Sequence, residues 1–96
     1  MIIKLSPQRR NDTLGISRSG DILTINGVEY DFSPLEDGDM LPQEAVNNEF
    51  VISDVERVGG VITLTLLLPH GANASEAARF PQPVVDPPNG NVELPS

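Results

Sequence analysis

The chain has 96 residues, a formal net charge of −8, a 39% apolar composition, and neither cysteine nor tryptophan. That length is one domain's worth of chain, burying roughly 60–65% of its unfolded surface, so the core is small. The charge repels phosphate backbones and anionic lipid surfaces, so neither nucleic acid nor membrane is an expected partner; the missing cysteines exclude disulfides, thiol catalysis and Cys-type zinc sites.

At the amino end Ile2, Ile3 and Leu5 form a short apolar segment, read as a first strand. It is too short for a signal peptide, and Pro7 follows at once. Residues 6–12 read as a polar loop that sets Arg9 and Arg10 side by side. The stretch from Thr13 to Phe32 carries the clearest pattern. Leu14 and Ile16, then Ile22, Leu23 and Ile25, then Val28, Tyr30 and Phe32 alternate with polar residues, as in half-buried strands. Gly20 separates the first two runs. Asn26-Gly27 separates the next two and is a strong hairpin-turn signal. Three antiparallel strands are predicted, over 13–18, 21–26 and 28–32.

Ser33-Pro34 ends the third strand, and residues 35–41 read as an acidic loop. Residues 42–46 suit one helical turn with Pro42 at its first position and Glu44 near the positive end of the dipole. A second hairpin follows, with Phe50, Ile52, Val55 and Val58 before Gly59-Gly60 and a very apolar run from Val61 to Leu68 after it. That last strand is expected at the centre of the sheet, with Pro69-His70-Gly71 breaking it. It lies far below the ~20 apolar residues of a membrane-spanning helix, and the protein is expected to be soluble. Residues 74–79 suit a short helix capped by Asn73 or Ser75. From Phe80 onward the chain holds five of its nine prolines and reads as extended or irregular rather than as part of a central sheet. The expected organisation is one β-rich domain over residues 1–85 and a Pro-rich tail over 86–96, a linker or an arm over the body. The expected class is all-β: an antiparallel meander of about six strands forming a small barrel or two-layer sandwich, with one or two short helical turns.

Few residues suggest chemistry. Glu36, Asp37 and Asp39 surround Gly38, but their spacing lacks the alternating ligands and distal Glu of a calcium loop, so a solvated acidic loop is expected. His70, the single histidine, stands at a strand end, where a general base would need an orienting carboxylate and a pocket. Neither a nucleophile elbow nor a phosphate-cradling loop occurs. No metal or cofactor is expected. The four aromatic residues, Tyr30, Phe32, Phe50 and Phe80, are assigned to the core. Arg9 and Arg10 form the one local basic patch; they serve as a candidate partner-binding pair, against the plainer reading that they pair within the chain or are solvated.

Three segments taken in order carry a resemblance. They are residues 1–10 (MIIKLSPQRR), residues 20–35 (GDILTING, then YDFSPL) and residues 64–73 (LTLLLPHGAN). Over roughly residues 1–85 the chain resembles short uncharacterised proteins encoded near tail genes of tailed bacteriophages and prophages. The resemblance is to the overall string and brings no catalytic or binding residue with it. It implies a phage tail or tail-fibre accessory protein in the bacterial cytoplasm during assembly or on the virion. The leading expectation is thus a non-enzymatic structural or assembly protein acting through protein–protein contacts, including contacts with further copies of itself. The rivals are a free-standing binding module for a basic protein surface or a sugar, and a small hydrolase using His70 with a carboxylate.

Overall fold

A computed structural model describes residues 1–95 and contains two β-sheets and two short helices around a shared core. The all-β expectation holds. In chain order the strands are β1 (Ile2–Arg9), β2 (Ile16–Ser19), β3 (Ile22–Ile25), β4 (Val28–Asp31), β5 (Met40–Leu41), β6 (Val55–Val58), β7 (Val61–His70), β8 (Val84–Val85) and β9 (Gly90–Val92). Helix α1 (Gln43–Val46) lies between β5 and β6, and α2 (Glu76–Arg79) follows β7. One sheet has the order β5-β6-β7-β1-β8 and the other β4-β3-β2-β9.

Turn chemistry sets the hairpins. Asn26 and Gly27 take φ of 48° and 85° between β3 and β4, and Gly59 and Gly60 take 58° and 80° between β6 and β7. Both central residues have positive φ, the condition for the two-residue turn whose twist matches that of the strands. Asn26 tolerates this because its side chain is used: its Oδ1 accepts from the Gly15 N–H at 2.7 Å, and its Nδ2 donates to the Thr13 carbonyl at 3.1 Å.

Inward-facing residues follow the two-residue period. Ile3 on β1, Leu23 and Ile25 on β3, Val55 on β6 and Ile62, Leu64 and Leu66 on β7 are buried, together with Phe32, Phe50, Val51 and, from the tail, Val92. Among the described residues no polar or charged residue is buried. β7 is the third of five strands, as its composition predicts.

Five expectations change. The fold is not wholly a meander: β1 runs parallel to β7 from Ile2 opposite Thr63 to Arg9 opposite His70. This ladder also extends both strands beyond their expected ends. Residues 6–9 continue β1, and Pro69 and His70 continue β7. The prolines are tolerated because each strand has lost its other neighbour there. β8 reaches only Ile2 and Ile3, and β6 meets β7 only from Val61 to Thr63. Residues 40–41, expected in a loop, form the short edge strand β5. Pro42 occupies the N-cap position of α1 rather than its first turn. Phe80, expected in the core, is 72% exposed.

The proline-rich stretch from Phe80 onward, which includes the tail over 86–96, lies over the body. Val84–Val85 pairs with β1 at the edge of one sheet, and Gly90–Val92 pairs with β2 at the edge of the other. Edge positions suit a proline-rich segment, because missing N–H groups there face no ladder. Arg18 donates to the Asp86 carboxylate at 3.2 Å and to the Pro87 carbonyl, while the Gly20 N–H donates to Asn89 Oδ1 at 3.0 Å.

Candidate functional site

Arg9 and Arg10 have different surroundings. Arg9 ends β1, is exposed, and makes no ion pair among the described residues. Arg10 turns into the molecule. Its Nε donates to Asp12 Oδ1 at 2.9 Å, its Nη2 reaches Asp12 Oδ2 and Glu49 Oε1, and its guanidinium lies 5.5 Å from the centroid of the Phe50 ring. The Arg10 backbone N–H donates to the His70 carbonyl at 3.1 Å. A guanidinium forked onto a carboxylate and resting on a ring closes this end of the sheet.

His70 lines a cleft of about 320 Å³ with Arg10, Asp12, Thr13, Leu14 and Pro69. The cleft thus holds an imidazole, a carboxylate and a hydroxyl. The carboxylate and the imidazole have separate partners. The Asp12 carboxylate takes the Arg10 fork, and His70 Nδ1 lies 3.0 Å from the Gly71 carbonyl. Among the described residues no hydrogen bond joins His70 to a carboxylate or hydroxyl; the ring's partner is the Gly71 backbone carbonyl.

The acidic loop is spent on turn formation. Asp37 Oδ1 accepts from the Gly60 N–H and Asp39 Oδ2 from the Glu36 N–H, each at 2.9 Å. Arg57, on β6 beside this loop, joins the two sheets. Its Nη2 donates to Asp21 Oδ2 at 2.8 Å and to the Phe32 carbonyl, its Nε to the Leu35 carbonyl, and its Nη1 to the Gly60 carbonyl at 3.1 Å. Among the described residues no cluster of three metal-ligating side chains occurs.

The feature with the character of a contact site is the outer face of the five-stranded sheet. Register and alternation place Met40, Glu56, Thr63, Ile2 and Val85 in one row across all five strands, with Val58 and Val61 adjacent on β6 and β7. Met40, Val58 and Val85 are 53%, 60% and 67% exposed, and Ile2 and Val61 are half-buried. Lys4, Asp54, Glu56, Thr63 and Thr65 line a shallow groove of about 260 Å³ on the same sheet. Helix α2 packs on β1 and β7. Sequence reasoning missed this face. Its members come from five separate segments, and only Val58-Gly59-Gly60-Val61 brings two of them close in the chain.

The second sheet's outer edge strand, β4, has a different character. Glu29 and Asp31 project from its exposed face, and the Ser33 hydroxyl and backbone N–H hold the Asp31 carboxyl below the usual carboxylate range. Comparison with protein-family models, with curated proteins and with solved structures finds no match to this chain.

Proposed function

We propose that this chain is a non-catalytic structural or assembly protein that works through protein–protein contacts, with the tail of a tailed phage or prophage as its setting. The observation that carries the contact reading is the set of exposed or half-buried apolar side chains on one open sheet face, Met40 and Val58 to one side of β7, Val61 on it, and Ile2 and Val85 to the other, with Glu56 and Thr63 between them. Apolar side chains aligned on one face of a small domain gain by meeting another surface, whereas singly scattered ones are ordinary. The phage setting is supported by the sequence resemblance over residues 1–85 alone. A hydrolase using His70 finds little support in a cleft whose carboxylate is held by Arg10.

The test is co-purification with the products of the neighbouring tail genes. The wild-type chain is expected to hold one of them, and a variant carrying Met40→Asp and Val58→Asp is expected to lose it. A wild-type chain that retains none of the neighbouring products would overturn the tail-assembly reading. A free-standing module for a basic protein surface is favoured by Glu29 and Asp31 on β4, and predicts that Glu29→Lys with Asp31→Lys, rather than the apolar-face changes, removes binding.

A further inference from the structure

We infer that the outer face of the five-stranded sheet pairs with the same face of a second copy, making a back-to-back dimer. The inference rests on the contact reading above and names the occupant of that face.

The arrangement of the face is self-complementary. β7 is its middle line, with Val61, Thr63 and Thr65 pointing outward. On one side lie Glu56 and Asp54, then Met40; on the other lie Ile2 and Lys4, then Val85. A two-fold axis laid along β7 exchanges the two sides. It sets Met40 of one copy over Val85 of the other and Val61 over Val61. It also brings Lys4 of each copy over the Asp54–Glu56 segment of the other. Lys4 is exposed and makes no ion pair among the described residues, so its charge is available for this. One Asp54 oxygen accepts from the Gln43 N–H at 2.9 Å, which leaves the other open. An isologous contact needs each patch to match itself under such an operation; here Met40 meets Val85, Val61 meets itself and Lys4 meets Asp54, while Glu56 lies over Ile2. Face-to-face sheets pack about 10 Å apart with their side chains meeting between them.

The edges of the sheets suit a second copy less well. β4, the longest exposed edge, would bring Glu29 and Asp31 against their own copies. β5, β8 and β9 are two or three residues long. Five strands spaced about 4.8 Å apart make a footprint roughly 24 Å wide, at the small end of stable interfaces, so affinity in the micromolar range is expected.

Sedimentation velocity of the full chain from about 10 μM to about 500 μM tests this. The wild type is expected to pass from monomer to dimer across that range. Lys4→Glu and Asp54→Lys should each weaken the dimer about tenfold, and the double variant should recover most of that loss. Val61→Asp should leave a monomer with an unchanged circular-dichroism spectrum. A wild type that stays monomeric throughout would overturn the inference, as would a dimer indifferent to Val61→Asp or a charge swap that restores nothing. A monomer that still binds a neighbouring tail product through Met40 and Val58 ends self-pairing and spares the contact reading. A dimer that binds none of those products upholds self-pairing and ends the tail reading.

Discussion

Arg57 is the side chain on which the two sheets depend most directly. Its guanidinium is largely enclosed, and its hydrogen bonds reach the start of β3, the residue after β4, the acidic loop and the β6–β7 turn. Removing it strands Asp21 and leaves three carbonyls without this donor. Arg57→Ala is therefore expected to cost about 3 kcal/mol, read as a lower urea midpoint at unchanged slope. Arg57→Lys keeps the charge but not the planar fork, and should recover less than half of that loss. A midpoint unchanged in Arg57→Ala would contradict this account. Nothing in the sequence marked Arg57, which stands between Glu56 and Val58 like any solvated strand residue. Its partners come from residues 21, 32, 35 and 60, and only folding assembles them. Arg9 and Arg10 illustrate the converse: neighbours in sequence, they alternate across a strand end, and one turns to Asp12 while the other stays in solvent.

Among the elements, the tail departs furthest from its expected role. Proline content points to an irregular segment, and much of it is irregular, yet it completes an edge of each sheet and lends Val92 to the core. Truncation after Val85 removes β9 from β2 together with the partners of Arg18 and Gly20. The expected loss is about 2–4 kcal/mol, since one buried valine and several hydrogen bonds go together. Hydrogen exchange should show it first in the amides of β2. Protection there unchanged by truncation would show the tail to be dispensable. The β1–β7 ladder was equally illegible: a polar stretch holding a proline has no strand signature until a parallel neighbour supplies the hydrogen bonds.

For the molecule as a whole, fold and contact surface are separable. The core lies between the sheets, while Met40, Val58 and Val85 point away from it. Converting these three to Asp should change the stability of the monomer by less than about 1 kcal/mol, because exposed side chains contribute little to folding. Thermal unfolding at low protein concentration checks this. A loss of several kcal/mol would mean that the face supports the fold rather than meeting another molecule. At higher concentration the wild type should gain stability that the variant lacks, since association stabilises whatever it binds.

Local periodicity and turn residues determined what could be read directly. Two-residue alternation with Asn26-Gly27 and Gly59-Gly60 specified the β2–β3–β4 and β6–β7 strands, the central place of β7 and most of the buried residues, because these depend on neighbours within a few positions. Tertiary structure alone decided that β1 runs beside β7, that the tail closes both sheets, and that Met40, Ile2, Val58, Val61 and Val85 share one open face. Each of those depends on which distant strand lies alongside, and alternation specifies a strand's two faces without specifying its neighbour.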